Sequence, residues 1–247
     1  MDKHRIQHSF AQAAPAYDQH ARMQREAAAA LALRMQRQWP EAHRILEIGC
    51  GTGNLTRHLL ATYPQAQLLA TDLAPSMVAT CQTLLPPTDR PRVQFEAADG
   101  EQLDATGFDL VASSLVFQWF EDTLTTLRRL HAQGARVAVA TLVDGTFQEW
   151  KDAHAQLGLA DGVRPFVSEG ALRALATALQ AHVEFDTLYE RYDDAKDFVR
   201  AIKGIGAGTP RPGHQPAPLG RVLRQFPQGI TVSYRVAYWC AEPVSHA

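Results

Sequence analysis

The sequence predicts an α/β fold: a doubly wound, mostly parallel sheet of seven strands that ends on an antiparallel strand. Two observations carry this prediction. From residue 44 onward, short apolar runs alternate with amphipathic stretches, which is the pattern of strands connected by helices. The last apolar run, over 230–240, is long and rich in aromatic and β-branched residues, and such a composition is typical of a strand.

The elements follow one another in a regular order. The first forty residues are rich in Ala, Leu, Gln and Arg and predict helices that are divided at Pro15 and end near Pro40. Five apolar runs predict strands over 44–48, 68–71, 93–96, 108–113 and 136–142. Amphipathic stretches predict helices over 54–62, 75–84 and 122–131. After them come a predicted helix over 168–179 and a sixth strand over 183–189.

The segment 192–228 differs in composition from the predicted core around it. It begins with a short helical stretch over 194–202 and is then rich in glycine and proline, with Pro210, Pro212, Pro216 and Pro218. Inserted segments of this kind commonly form lids or binding loops. We therefore predict a single domain over 1–247, in which 1–40 forms a helical cap and 192–228 forms an inserted lid.

Composition and charge exclude several classes of protein. With 46% hydrophobic and 20% charged residues, the chain has the composition of a soluble globular enzyme. Its net charge of −2 gives it no overall attraction to nucleic acid, and no run approaches the ~18–20 apolar residues that cross a bilayer. The N-terminus lacks the apolar segment of a signal peptide, and the three widely spaced cysteines suit neither disulfides nor zinc. We expect a cytoplasmic protein without a metal, a nucleic-acid partner or a membrane partner.

A glycine-rich loop follows the first predicted strand directly, with the sequence E-I-G-C-G-T-G over 47–53. Its glycines, Gly49, Gly51 and Gly53, let the backbone turn sharply and approach a ligand closely. A phosphate-binding P-loop would need a lysine after the loop, and a dinucleotide fingerprint would need glycine at the position of Asn54. The spacing, with Glu47 two residues before the first glycine, matches instead the loop that binds S-adenosylmethionine.

Acidic residues follow three consecutive strands and strengthen this interpretation. Glu47 or the loop carbonyls could bind the ammonium group of the cofactor's methionine end, Asp72 could accept both ribose hydroxyls, and Asp99 could accept the adenine amine. A single aspartate at such a place is often no more than a helix cap, but an ordered set at the carboxyl ends of parallel strands favours a ligand site. The remaining candidates for this site are Leu73, Gly100 and Ser114. The sequence therefore predicts S-adenosylmethionine as the cofactor, with S-adenosylhomocysteine as its product, in a Rossmann-like fold.

Four stretches of the chain carry a resemblance to a known family. They cover 10–21, 108–119, 141–146 and 203–207 and read F-A-Q-A-A-P-A-Y-D-Q-H-A, F-D-L-V-A-S-S-L-V-F-Q-W, T-L-V-D-G-T and K-G-I-G-A. They resemble the malonyl-acyl-carrier-protein O-methyltransferases of biotin synthesis, along nearly the whole chain; Gln118-Trp119 and the K-G-I-G-A stretch are the most particular to that family. Members usually continue the latter with threonine, whereas this chain has G-T-P-R-P over 208–212. We therefore expect a lid loop of different shape.

The resemblance implies methyl transfer to the free carboxylate of a malonyl thioester, carried on an acyl carrier protein or on coenzyme A. A malonyl carboxylate, with a pKa of about 3–4, is ionised at neutral pH and needs no general base. Catalysis would then depend on alignment and on the exclusion of water. The candidate cations for the carboxylate are Lys203, Arg200 and Arg164. Tyr17 could close over the cofactor, and Gln118 and Trp119 could line the substrate pocket.

A cluster of basic residues lies within the predicted lid. Between 200 and 228 the chain has no acidic residue and carries the basic residues Arg200, Lys203, Arg211, Arg221 and Arg224. The charges could serve only to keep the loop in solution. A local charge of +5 in a chain of net charge −2 also suits the docking of an acidic acyl carrier protein, because such charges speed association. N-terminal residues that could extend this surface are Lys3, Arg5, Arg22 and Arg25.

Three other functions are open at this point. The chain could methylate another small carboxylic acid, it could bind the cofactor without catalysis, or it could methylate nucleic acid. Amino methyltransferases that act on nucleic acid carry an Asn/Asp-Pro-Pro-Tyr motif after the fourth strand, and S-S-L-V over 113–116 is no such motif. The sequence leaves open the carrier of the thioester, the oligomeric state and the cation that meets the carboxylate.

Overall fold

A computed structural model describes residues 3–211, 213–215 and 217–243. Pro212 and Pro216 of the predicted lid lie outside the described residues, as do the ends 1–2 and 244–247 of the predicted domain. Seven strands of the described chain form one sheet, in the order β3-β2-β1-β4-β5-β7-β6. Their bounds are β1 Arg44–Ile48, β2 Gln67–Asp72, β3 Val93–Ala97, β4 Leu110–Ser114, β5 Arg136–Leu142, β6 His182–Tyr192 and β7 Ile230–Ala241.

The pairing of the strands is mostly parallel. Strands β1 to β5 pair in parallel with their neighbours, and β7 runs antiparallel to both β5 and β6. The order of the strands switches from one side of the sheet to the other between β1 and β4. Open α/β sheets bind their ligands at such a switch point. The predicted fold class is confirmed, including the antiparallel last strand.

The fourth and sixth strands differ most clearly from their predicted bounds. The fourth strand begins at Leu110 rather than at 108, because the side chain of Asp109 makes hydrogen bonds just before the strand starts. Its carboxylate accepts hydrogen bonds from the backbone N–H groups of His43 and Arg44, at 2.7 and 2.8 Å. The sixth strand extends over 182–192 rather than 183–189, since every one of its residues pairs with β7.

Ten α-helices of the described chain surround the sheet: α1 Lys3–Ala13, α2 Tyr17–His20, α3 Arg22–Gln38, α4 Asn54–Thr62, α5 Pro75–Leu84, α6 Thr123–Ala132, α7 Gln148–Gln156, α8 Glu169–Ala178, α9 Ala195–Gly204 and α10 Leu219–Leu223. The sequence does not predict α7, a short polar helix that buries mainly Trp150, Ala153 and His154. None of the described helices is long and apolar enough to span a membrane.

The helix before β1 is anchored by a regular apolar stripe. Met23, Ala27, Leu31 and Met35 recur every four residues along α3, and all four are buried. Residues at this spacing lie on one face of a helix. They join the core cluster that also contains Ile45 of β1, so the N-terminal segment is held directly against the sheet.

Helix α9 brings the predicted lid to the same region. It begins after Asp194, whose side chain accepts a hydrogen bond from the backbone N–H of Lys196 at 2.8 Å, a common N-terminal cap. Phe198 and Ala201 are buried on its inner face. The lid therefore starts from a helix that is fixed in the core.

Candidate active site

Two adjoining cavities lie beside the carboxyl ends of β1, β2 and β4. We call the smaller one, of about 100 Å³, the loop cavity because the glycine-rich loop lines it. The larger one, of about 230 Å³, is the lid cavity because α9 and the segment after it line it. Both cavities are lined by Phe10, Tyr17, Leu115 and Trp119. These four residues therefore form the junction at which the cavities meet.

The loop cavity collects most of the residues that the sequence predicts for the cofactor. Those that line it are Gly49, Gly51, Asp72, Leu73, Asp99, Gly100 and Ser114. The loop itself is fixed by the second strand, since the N–H groups of Gly49 and Cys50 both donate to the Thr71 carbonyl at 2.8 Å. At Gly49, with a φ of +76°, a Cβ would lie 2.1 Å from Val116 Cγ2. This position therefore admits only glycine, and the backbone itself forms the cavity wall.

Asp72 holds the loop from the end of β2. Its Oδ2 accepts a hydrogen bond from the Gly51 N–H at 3.0 Å, and its Oδ1 accepts one from the Ala74 N–H at 2.9 Å. Burial raises the pKa of Asp72, and the two backbone donors partly offset this effect. The carboxylate lines the loop cavity and has further lone pairs for a ligand's hydroxyl groups.

Asp99 makes an ion pair that the sequence does not predict. Its Oδ2 accepts a hydrogen bond from Lys3 Nζ at 2.5 Å, and the same ammonium group lies 2.7 Å from Glu101 Oε2. Helix α1 lines the loop cavity with Lys3, Ile6, Gln7 and Phe10. Lys3 therefore belongs to the cofactor side of the site and does not extend the basic surface of the lid. The spacing of these four residues on one helix face is the only signal in the sequence.

Glu47 lies beneath the loop rather than in the cavity. Its carboxyl group is fully buried, and Oε2 accepts a hydrogen bond from Thr56 Oγ1 at 2.7 Å. Burial raises the pKa of Glu47 to about 8. The prediction that Glu47 meets the cofactor's ammonium group directly is not supported, because the side chain points towards α4. Gly53 does not line the cavity either; with a φ of +88° it is the N-terminal capping residue of α4 and lies close to Cys81.

Because the pKa of Glu47 is raised in the folded state, we expect the protein to become less stable as the pH rises. The folded chain keeps this proton up to about pH 8, whereas the unfolded chain releases it near 4.5. The unfolded state therefore binds fewer protons in this window, and the free energy of unfolding decreases with increasing pH. Thermal unfolding of wild type and Glu47→Gln across the window measures this effect. The melting temperature of the variant should depend less on pH, and parallel curves for the two proteins would contradict the assignment.

The lid cavity is lined by four of the residues that the sequence predicts for substrate: Gln118, Trp119, Arg164 and Lys203. Gln118 is fixed at both ends, since its Nε2 donates to the Leu115 carbonyl at 2.6 Å and its Oε1 accepts from Thr141 Oγ1 at 3.2 Å. Trp119 contacts Phe10 edge to face, with ring centroids 5.3 Å apart. These two side chains form a fixed wall of the cavity near the junction.

Two cations border this cavity. The guanidinium carbon of Arg164 lies 5.6 Å from the centre of the Trp119 ring, and its Nε donates to the Thr209 carbonyl at 3.4 Å. Lys203 lines the cavity from the last turn of α9. Because Trp119 also lines the loop cavity, Arg164 lies on the side of the lid cavity that faces the junction.

Arg200 does not line either cavity, and its predicted contact with the substrate is not supported. Its side chain is 69% exposed and forms an ion pair with Asp197. A helix turns about 100° per residue, so Arg200 lies on the face opposite to Phe198 and Ile202, which line the lid cavity. Arg200 therefore belongs to the outer surface of α9.

Tyr17 lies at the junction of the two cavities. Burial, with the nearby charge of Asp72, raises the pKa of its hydroxyl group. The next residue, Asp18, accepts a hydrogen bond from Thr52 Oγ1 at 2.6 Å. This bond ties α2 to the glycine-rich loop and holds Tyr17 in place above it.

The lid packs directly on the N-terminal helices. A Cβ at Gly204 would lie 2.3 Å from His20 Cδ2, and one at Gly206 would lie 2.9 Å from Phe10 Cα. Gly206 also has a φ of +76°, a conformation that favours glycine. The K-G-I-G-A stretch therefore packs tightly against residues 10–21, another stretch that resembles the family. This close packing requires its two glycines.

Comparisons with known proteins agree with this geometry. A family model described as a methyltransferase domain matches residues 46–134. The biotin biosynthesis bifunctional protein BioCD of Bordetella avium is 40% identical over 240 residues, which are 93% of this chain and 50% of that protein. A malonyl-[acyl-carrier protein] O-methyltransferase of Magnetococcus marinus is 36% identical over 211 residues, which cover 81% of this chain and 77% of that one. The solved structure of YcgJ from Bacillus subtilis has the same fold, with a TM-score of 0.57, 18% identity and coverage of 87% and 98%.

The sheet, the glycine-rich loop and the matched domain define a methyltransferase with a Rossmann-like fold, whose methyl donor is S-adenosylmethionine. More particularly, the chain belongs to the malonyl-[acyl-carrier protein] O-methyltransferase family. It spans half the length of the bifunctional relative from Bordetella avium. The predicted family, the enzyme class and the cofactor are thereby confirmed, whereas the contacts of individual residues with cofactor and substrate stay predictions.

Proposed function

We propose that the chain transfers the methyl group of S-adenosylmethionine to the free carboxylate of a malonyl thioester on an acyl carrier protein. One observation carries the proposal: the loop cavity adjoins the lid cavity, with Tyr17 and Trp119 lining both, and the cations Arg164 and Lys203 border the lid cavity. An anionic acceptor in the lid cavity therefore faces a cofactor in the loop cavity. The names of the relatives from Magnetococcus marinus and Paenibacillus support the same substrate.

The residues of the loop cavity fit the cofactor. Gly49 lines the cavity without a side chain, so a ligand can approach its backbone closely. Asp72 would accept the ribose hydroxyls and Asp99 the adenine amine, since carboxylates are acceptors only. Ser114 Oγ is buried without a partner among the described residues and faces a cavity in which a ligand would satisfy it. When bound, the cofactor supplies an electrophilic methyl group on a sulfonium.

The reaction needs no proton transfer. A malonyl carboxylate is ionised at neutral pH, so one of its oxygens can form the new bond to the methyl carbon while the old sulfur–carbon bond breaks. Arg164 and Lys203 would hold the carboxylate, leaving one oxygen in line with the methyl group. The apolar parts of the cavity wall reduce the water around the bound carboxylate, which strengthens these charge interactions. The chain thus acts by orientation and desolvation.

The carrier protein would dock on the basic surface of the lid. This surface consists of Arg200, Lys203, Arg211, Arg221 and Arg224, and all five side chains are exposed. The lid cavity lies beneath it, lined by Lys203 and Pro210. Acyl carrier proteins are acidic, and opposite charge at the rim of an interface mainly raises the association rate. Coenzyme A could deliver the same thioester but would use less of this surface.

We also propose that the cap 1–40 and the lid 192–228 belong to one domain with the sheet. The contact of Gly204 with His20 and that of Gly206 with Phe10 support this assignment. A cytoplasmic location stays our proposal as well. It is supported by Cys50, Cys81 and Cys240, which are free and buried, as expected for a reducing compartment.

Initial rates of methyl transfer to three acceptors test the proposed substrate. We expect malonyl-acyl carrier protein to react with a higher kcat/KM than malonyl-coenzyme A, and free malonate to react least. Because surface charges are screened by salt, the preference for the carrier protein should shrink between low and high ionic strength. Equal rates with free dicarboxylic acids would favour the alternative of a small-acid methyltransferase. Tight cofactor binding without any turnover would favour a non-catalytic module.

A further inference from the structure

The lid cavity is larger than a malonyl group requires. It has a volume of about 230 Å³, more than twice that of the loop cavity at about 100 Å³. A malonyl group has a single methylene between its carboxylate and its thioester carbonyl. The lid cavity therefore has room for part of the carrier's arm and for an acyl chain longer than malonyl.

One part of the wall of the lid cavity is aromatic. Apart from the rings at the junction, five aromatic residues line the cavity: Phe147, Trp150, Phe166, Phe198 and Tyr234. Phe147 contacts three of the others, with centroid distances of 5.0 Å to Tyr234, 5.4 Å to Phe198 and 6.5 Å to Phe166. This part of the wall favours contact with hydrocarbon over contact with the amides of a pantetheine arm.

This wall is fixed rather than collapsible. Trp150, Phe198 and Tyr234 are at most 9% exposed and belong to the main core cluster. Phe147 has a φ of +58°, and its N–H donates to the Ser233 carbonyl at 2.8 Å. The elements α7, α9 and β7 support these rings on the side away from the cavity. The cavity is therefore a fixed feature of the fold.

We propose that the lid cavity accepts ω-carboxyacyl thioesters longer than malonyl, and that the chain methylates the free carboxylates of glutaryl and adipoyl thioesters. The inference rests on the proposed function, because it assumes a thioester acceptor in this cavity. The free carboxylate lies beside Arg164 and Lys203, as for malonyl, and the additional methylenes lie along the aromatic wall. The chemistry is unchanged: an oxygen–methyl bond forms, the sulfonium–methyl bond breaks, and the sulfur keeps the electron pair as S-adenosylhomocysteine.

The size of the effect follows from the burial of the methylenes. Each methylene that leaves water for an apolar wall strengthens binding about fourfold. Part of this gain is lost because a longer chain must be ordered in the site. We therefore expect kcat/KM for glutaryl and adipoyl thioesters to equal that for malonyl, or to exceed it by up to about tenfold.

A chain-length series on one carrier protein tests the proposal. Malonyl-, glutaryl- and adipoyl-acyl carrier protein are compared by their initial rates at concentrations below KM. A kcat/KM for the longer acyl groups within tenfold of that for malonyl, or above it, supports the proposal. A decrease of more than tenfold from malonyl to glutaryl overturns it, while the malonyl rate shows that the proposed function holds. If no thioester reacts, malonyl included, the proposed function has failed first.

Variants that fill part of the lid cavity test where the additional methylenes of the longer acyl groups lie. Val199 and Ile202 line the lid cavity from α9 and are only half-buried. We expect Val199→Phe to lower the ratio of the adipoyl rate to the malonyl rate at least tenfold. Lys196→Phe, on the exposed face of the same helix, is the matched control and should leave the ratio unchanged. Ile202→Phe provides a second test if Val199→Phe does not fold, as judged by its affinity for S-adenosylhomocysteine. An unchanged ratio in a folded filling variant would contradict the proposed position of the chain.

Discussion

Replacing Asp72 by alanine should weaken the binding of S-adenosylmethionine about thirtyfold, which corresponds to about 2 kcal/mol. The carboxylate lines the loop cavity at the end of β2 and is the acceptor that we assign to the ribose hydroxyls. It also accepts hydrogen bonds from the N–H groups of Gly51 and Ala74. The variant therefore loses both the contacts with the ribose and part of the support of the loop.

Titration calorimetry with S-adenosylhomocysteine measures this affinity directly. Asp72→Asn separates the two contributions, because the amide oxygen can still accept one backbone hydrogen bond while the charge is lost. We expect its affinity to lie between those of wild type and Asp72→Ala. Wild-type affinity in a folded Asp72→Ala variant would show that the cofactor does not use this carboxylate.

Removing the two cations of the lid cavity should have the second large effect. We expect Arg164→Met and Lys203→Met each to lower kcat/KM for malonyl-acyl carrier protein at least about thirtyfold, mainly by raising KM. An anion that loses a close cationic partner in a desolvated site loses about 2 kcal/mol or more. The affinity for S-adenosylhomocysteine should stay at the wild-type value, because neither residue lines the loop cavity.

Lys196→Met is the matched control for Lys203→Met. It removes the same charge from the same helix, but Lys196 is exposed and lines neither cavity. We expect its kcat/KM to stay within about threefold of wild type, since single charges at the surface have small effects. A loss of cofactor affinity in Lys203→Met with an unchanged KM would show that α9 serves the cofactor instead.

The sheet could be predicted because its signals are local. Short apolar runs separated by amphipathic stretches predict buried parallel strands, and the positions of β1, β2, β3 and β5 follow them closely. The start of β4, just after Asp109, could not be predicted in this way. Its backbone continues an apolar run, but its carboxylate bonds to 43–44, so that the strand begins only at the next residue.

The direction of Glu47 could have been predicted from the alternation of side chains along a strand. Residues two apart point to the same face of a sheet, and Ile45 belongs to the core cluster on the side of α4, whereas Leu46 and Ile48 belong to the other cluster. Glu47 therefore shares the face of Ile45. Its hydrogen bond to Thr56 of α4 is the consequence.

Other parts of the site depend on contacts that no local pattern contains. Lys3 pairs with Asp99 and Glu101 across nearly a hundred residues, and α7 has too few apolar residues to be recognised as a helix. The position of Arg200 is a different case. The spacing along α9 places it opposite to Ile202, so the helical period alone would have placed it away from the apolar face of that helix.

Mass spectrometry of malonyl-acyl carrier protein after incubation with the enzyme and S-adenosylmethionine tests the central claim most directly. We expect the carrier to gain one methyl group, and fragmentation of the released phosphopantetheine arm to place it on the malonyl carboxylate. The gain should be lost with Asp72→Ala at low cofactor concentration. It should also be lost with the double variant Arg164→Met/Lys203→Met at any cofactor concentration, provided that the carrier is kept below its KM. An unmodified malonyl group, or a methyl group on the carrier polypeptide itself, would contradict the account.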